Sequence, residues 1–429
     1  MSMGKNAYTP SRRMRQPMAR HVALTPHTVT LGFDLLKHVP HASRPRKGDS
    51  GVAGRLRMED EARGNEGLDP ALDGLRPYRG GRGRGPYARQ GRGRGREHAR
   101  DVQGPPATYA ALDLGTNNCR LLVARPAGHG FRVVDAFSRI IRLGEGISAS
   151  GRISDAAIVR AVSALSVCRD KMRHRNAARA RLIATEACRT AENGDEFRAR
   201  ISNEVGLDLE IIDRKTEATL AATGCTPLID PATDGVILFD IGGGSSELVR
   251  LGPCTPTRRG PPKPTIEGWV SIPLGVVTLA ERHGGVTVTR AVFETMVEEV
   301  AERIADFAAV HSGDLARMHM LGTSGTVTTI AGVFLELPRY DRRRVDGCWL
   351  VDGQVTSVVE RLIEMSYDER VANPCIGVER ADLVLAGCAI LEAIRRAFPC
   401  ERLRVADRGL REGMLVEMMR ADGVWDRDA

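Results

Sequence analysis

From Thr108 onward the chain alternates short apolar runs with segments whose apolar residues recur at helical spacing. "TYAALDL" (108–114), "CRLLVAR" (119–125) and "FRVVDAF" (131–137) predict three consecutive strands. "SDAAIVRAVSALSVCRDKM" (154–172) predicts a helix with Ile158, Val162, Leu165 and Met172 on one face and Ser154 as its N-cap. Strand "ARLIATEA" (180–187), helix "NGDEFRARISNEVG" (193–206), strand "LDLEIID" (207–213) and helix "RKTEATLAATG" (214–224) complete a β-β-β-α-β-α-β-α order. A second pass opens at Gly235 with strands "GVILFDI" (235–241), "SELVRLG" (246–252) and "GWVSIPL" (268–274). Helices over 277–284 and 289–312, strand "MHMLGTSG" (318–325) and helix "TVTTIAGVFLEL" (326–337) follow. The fold class this predicts is α/β, with two lobes built on one plan and a ligand cleft between them. The first lobe covers 108–233 and the second 234–429, whose last helices can pack back on the first.

The repeat reaches individual residues. "ALDLGTNNCR" (111–120) returns as "FDIGGGSSELVR" (239–250), aligning Asp113 with Asp240, Gly115 with Gly242 and Arg120 with Glu247. Gly242, Gly243 and Gly244 lack a Cβ, so successive N–H groups can close on an anion, and Thr116, Asn117, Asn118, Ser245 and Ser246 add side-chain donors. Phosphate held beside several carboxylates calls for a hard divalent cation. Mg²⁺ or Mn²⁺ suits that role, with Asp113, Asp240 and Glu247 as candidate ligands. A third glycine-rich element, "LGTSGTVTT" (321–329), places Gly322, Thr323, Ser324, Gly325 and Thr326 where a strand passes into a helix, a position that favours an anion or a sugar edge. The same residues also suit plain turn caps and a capped helix start. No GxxxxGK[ST] loop is present, which disfavours a P-loop NTPase.

Charge divides the chain. The formal net charge is +8 over 429 residues, but residues 1–100 hold 21 Lys and Arg against 9 Asp and Glu, so the remainder is slightly acidic. "RGGRGRGPYARQGRGRGREHAR" (79–100) is low-complexity Arg-Gly sequence, and the predicted state of residues 1–107 is a disordered tail. Such a tail is either a weak nucleic-acid or polyphosphate contact or a solvated linker. The nine cysteines occur singly, without CxxC pairs, as expected of reduced thiols in the cytoplasm. No apolar stretch is long enough for a membrane helix, so no membrane association is expected.

The body resembles the Ppx/GppA phosphatase family. The resemblance rests on "ALDLGTNNCRLLV", "IRLGEG", "IATEACRTAENGDEF", "LEIIDRKTEATLAATG", "FDIGGGSSELV", "SIPLGVVTLAER", "GTSGTVTTIAG", "ERADLVLAGCAILEAI" and "VADRGLREG", in family order across about 108–420. It implies two duplicated ribonuclease-H-like lobes of the actin, heat-shock-70 and sugar-kinase superfold, and a homodimer. It implies hydrolysis of a terminal phosphoanhydride, with Glu217 as general base and Arg120 on the transferred phosphoryl group. Arg380 is a second phosphate clamp or an ordinary surface ion pair. The implied activity is that of an exopolyphosphatase acting on inorganic polyphosphate, the alternative being removal of the terminal phosphate of guanosine pentaphosphate (pppGpp). Two positions depart from the family: Arg214 stands where many members carry Gly, and Thr219 where many carry Arg.

Overall fold

A computed structural model describes residues 107–426; the predicted tail lies outside these residues apart from Ala107. The first sheet is built on β1 (Tyr109–Leu114), β2 (Asn118–Ala127) and β3 (Gly130–Ile140). After α1 (Ile147–Ser150) and α2 (Asp155–His174) come β4 (Arg179–Ala184), α3 (Glu186–Thr190), α4 (Gly194–Val205), β5 (Glu210–Ile211) and α5 (Arg214–Cys225). Strand order is β3-β2-β1-β4-β5, antiparallel from β1 to β3 and parallel from β1 to β5. The continuous apolar run of β1 is explained by its central place: every residue but Asp113 is buried, with helices on both faces.

The second half repeats this plan. β6 (Gly235–Ile241), β7 (Ser246–Thr255) and β8 (Lys263–Ile272) form the meander, followed by α6 (Val276–His283), α7 (Arg290–His311), β9 (Met318–Thr323) and α8 (Gly325–Phe334). Then come α9 (Arg342–Val345), β10 (Trp349–Val351), α10 (Asp352–Glu364), α11 (Tyr367–Ala372), α12 (Val384–Ala397), β11 (Arg402–Ala406) and α13 (Leu410–Ala421). The order β10-β11-β9-β6-β7-β8 reproduces the first sheet and adds β10 as an antiparallel edge. The α/β class with two duplicated lobes is therefore what the chain adopts.

The lobes exchange helices. One face of the first sheet is covered by α2 and α4 through Leu165, Phe197 and Ile201. Its other face is covered by α13, where Met414, Met418 and Met419 meet Tyr109, Ala111 and Leu122. Conversely α5 lays Ala218, Ala222 and Cys225 on Val236, Leu238 and Val249 of the second sheet. The two helices cross at glycines, the only residues that permit so close an approach. A Cβ on Gly224 would sit 1.9 Å from the carbonyl oxygen of Gly409, and one on Gly413 would sit 2.0 Å from that of Leu220.

Local departures from the predicted elements have local causes. The segment 207–213 forms ladder pairs only at Glu210 and Ile211, because β5 is an edge that meets β4 for two residues. The run ending at Ala187 stops as a strand at Ala184; Thr185 turns the backbone and Glu186 opens α3. β8 begins at Lys263 rather than Gly268, extended by pairing with β7. Among the described residues no helix is long and apolar enough to cross a membrane.

Candidate active site

Both hairpins that open the sheets end in the same turn. In the first, Asp113 pairs with Arg120 across the ladder and the Gly115 N–H donates to the Asn118 carbonyl at 2.9 Å. In the second, Asp240 pairs with Glu247 and the Gly242 N–H donates to the Ser245 carbonyl at 2.9 Å. The turns face each other and touch. A Cβ on Gly243 would lie 2.9 Å from Thr116 Cβ, and one on Gly244 would lie 2.8 Å from Thr116 Oγ1. Their carbonyls are tied down: Thr116 O accepts from Gly144 N, Asn117 O from Ile141 N and Arg142 N, Gly242 O from Val276 N, and Gly243 O from Val277 N. The N–H groups of Gly243 and Gly244 meet no acceptor among the described residues, which suits them to an anion.

Some of the predicted donors are engaged elsewhere. The Ser246 hydroxyl is fully buried and donates to Leu274 O at 2.8 Å, and the Ser245 hydroxyl bonds Glu247. In the third loop Gly322 is small because the Phe239 ring lies against it, the Thr323 hydroxyl donates to Arg408 O at 2.6 Å, and Thr326 packs on Gly387. These positions are set by packing and internal bonding, which a glycine- and hydroxyl-rich motif does not distinguish from ligand contact. By contrast the side-chain oxygens of Asn117, Asn118 and Ser324 are buried without a partner. Ser324 also holds φ at +112°, an unusual backbone for a residue with a side chain. Gly325 lies beside Arg380, whose Nη1 is 3.7 Å from where a Cβ would be.

Four carboxylates gather behind the turns. Burial, reinforced by the Asp240 charge, lifts Glu247 to about 7, and burial lifts Asp240 to about 6 against the pull of Arg120. Burial, then the neighbouring charge of Glu247, holds Glu217 well above the usual carboxylate range, opposed by Arg189. Asp113 is raised by burial and opposed by Arg120 and Arg411. Facing them are three guanidinium groups, Arg120, Arg380 and Arg411. Burial and the charge of Arg120 lower Arg380, while burial lowers Arg411 despite the opposing Glu412 carboxylate. Among the described residues none of the three forms an ion pair or side-chain hydrogen bond, so each is available to a polyanion.

Sequence reasoning assigned no role to Arg411, Arg189 or Glu186. Arg189 donates from Nη2 to Glu217 Oε2 at 3.1 Å and from Nε to Glu186 Oε2 at 2.9 Å. All three lie inside the quoted "IATEACRT" and "GLREG" stretches; the i, i+3 spacing of Glu186 and Arg189 in a helix start was the available signal.

Among the described residues no group of three His, Cys, Asp or Glu side chains is arranged to hold a metal ion by itself. The donor set nevertheless fits a hard divalent cation. Asp240 and Glu247 are adjacent oxygen donors across β6 and β7, and such an ion takes one or two carboxylates and completes its shell with phosphate oxygens and water.

A model of the Ppx/GppA phosphatase family matches residues 122–422. Exopolyphosphatase 2 of Mycobacterium tuberculosis is 29% identical over 325 residues, covering 72% of this chain and 98% of that protein. Among solved structures, a Ppx/GppA family member from Aquifex aeolicus is similar at a TM-score of 0.61 and 26% identity, covering 74% of this chain and 99% of its own. An exopolyphosphatase from Cytophaga hutchinsonii shares the fold at a TM-score of 0.66 and 22% identity, over 73% and 98% of the two chains.

Proposed function

The chain belongs to the Ppx/GppA phosphatase family, a family of hydrolytic enzymes, and on that premise we propose that it is a Mg²⁺-dependent exopolyphosphatase of the cytoplasm, releasing orthophosphate from the end of inorganic polyphosphate. The observation that carries this reading is the abutment of Thr116 with Gly243 and Gly244, which brings two anion-binding turns into one site with Glu217 behind them. The free N–H groups of the second turn and the three unpaired arginines bind and orient the terminal phosphates. Asp240 and Glu247 would hold the metal ion, with the Asp113 charge close by, and the ion would offset charge on the phosphate oxygens. Glu217 takes a proton from the attacking water. Its environment keeps it basic enough for that, since burial and Glu247 oppose the lowering effect of Arg189.

One observation favours the alternative substrate, pppGpp. Tyr340 is 37% exposed and lies within electrostatic reach of Arg380, so the third loop has an aromatic ring near it that could face a nucleobase. Phosphate release from long-chain polyphosphate, pppGpp and ATP under one condition tests both readings. Preferential turnover of polyphosphate is the expected result; release from pppGpp alone replaces the first reading with the second, and release from neither overturns both.

A further inference from the structure

Glu186 is hard to explain as part of a phosphate site, because a carboxylate repels the substrate. Its side chain is only 6% exposed, and its Cγ lies 3.2 Å from where a Cβ on Gly244 would sit, beside the second turn. Two guanidinium groups hold it. Arg214 donates from Nη2 to Oε1 at 2.7 Å, and Arg189 donates from Nε to Oε2 at 2.9 Å. Arg189 is fixed further by Nη1 on the Ile212 carbonyl at 2.6 Å, and its Nη2 reaches Glu217 at 3.1 Å. Arg214, Glu186, Arg189 and Glu217 thus form a line of alternating charge joining the first turns of α3 and α5. Arg214 and Glu217 are three residues apart on α5 and share a face.

The geometry points to Glu186 and Arg214 as positioning residues. Glu186 holds Arg189 so that a single N–H reaches the general base, and Arg214 cancels the charge that Glu186 brings beside the second phosphate turn. The inference rests on the functional reading above. Without Glu186 the Nε–H and the second Nη2–H of Arg189 lose their acceptor, and the guanidinium can swing about its Ile212 bond to bring a second N–H onto Glu217, tying up the oxygen that must accept the proton. Without Arg214 the carboxylate beside Gly244 is only half compensated and repels the incoming polyanion. The two losses fall on different kinetic constants, which an ion pair serving stability alone does not produce.

The test is steady-state phosphate release by the full-length protein with saturating Mg²⁺, for the wild type, Glu186→Gln, Arg214→Met and the double variant, with a melting curve for each. Glu186→Gln is expected to lower kcat by about tenfold or more with KM within about threefold. Arg214→Met is expected to raise KM for polyphosphate by about fivefold or more with kcat nearly unchanged, and the double variant to recover a KM near the wild type, since the unpaired carboxylate is gone. If Glu186→Gln does not fold, the KM of Arg214→Met decides alone, as that side chain is 37% exposed and its loss is tolerable. Kinetic constants within about twofold of the wild type, or additive losses in the double variant, overturn the inference while leaving the functional reading intact. A wild type that releases phosphate from no substrate overturns the functional reading and this inference with it.

Discussion

Arg142 donates to both carboxylate oxygens of Asp382, at 2.9 and 3.1 Å, and so joins the two lobes at one edge of the cleft. Its Nη2 also reaches the Glu379 carbonyl, next to Arg380, and a second tie runs from the Gly146 N–H to Glu281 at 2.8 Å. These contacts border a cavity of about 220 Å³ that also touches Asn117. Arg142 holds φ at +45°, so the latch is made at the expense of backbone strain. Arg142→Gly relieves that strain while removing the ion pair. We expect its melting temperature to stay close to the wild type and its phosphate release at low substrate to fall several-fold, because the lobes then close less tightly on the substrate. Unchanged kcat/KM in Arg142→Gly counts against a role for the latch in closure.

Glu217 lies on α5 with its carboxyl held by Arg189 and surrounded by acids. Glu217→Gln preserves shape and that hydrogen bond while removing the proposed base. Turnover is expected to fall by on the order of a hundredfold or more with substrate binding retained. Near-normal turnover in this variant removes Glu217 from the mechanism.

Asp240 and Glu247 link stability to pH in the metal-free protein. Folding raises them to about 6 and about 7 from 3.8 and 4.5, so both bind protons more tightly when folded than when unfolded. Their contribution is fully present below about pH 4 and is lost as pH rises through 6 to 7. The expected result is a smaller fall in melting temperature between about pH 5 and pH 8 for Asp240→Asn than for the wild type. Added Mg²⁺ should stabilise the wild type more at the higher pH, where both carboxylates are free of protons. Equal slopes for variant and wild type contradict this account.

Gly413 is the point at which α13 touches the Leu220 carbonyl of α5. Gly413→Ala introduces a methyl where no space exists, and we expect destabilisation of about 1–3 kcal/mol in chemical unfolding. Since α5 carries Glu217, kcat should fall as well. A variant as stable and active as the wild type means the crossing has room for a methyl group.

How much of this was readable from the residues differs from place to place. The alignment of Asp113 and Arg120 with Asp240 and Glu247 became the ladder register of both hairpins, because a repeated Asp-x-Gly at the end of an apolar strand has few ways to turn. A return of the last helices to the first lobe was expected, but the reciprocal placement of α5 on the second sheet was not readable: Leu220 and Met414 share a core although nearly 200 residues separate them, and local periodicity says nothing about which sheet a helix will cover. The Ser246 hydroxyl illustrates a different limit. Its motif suggests a ligand donor, yet the Leu274 carbonyl takes that hydrogen bond from a strand end 28 residues away. α3 escaped notice because five residues are too few to display a helical period.

The crossing of α5 and α13 bears on how the protein is made. During synthesis β1 to α5 leave the ribosome before the second lobe, but the face of their sheet that needs Met414, Met418 and Trp425 stays wet until those residues have emerged. The growing chain must therefore carry an exposed apolar surface through the translation of the whole second lobe, a period in which holdase chaperones are the natural protection, and a stop codon before residue 410 leaves that face of the first sheet unsealed.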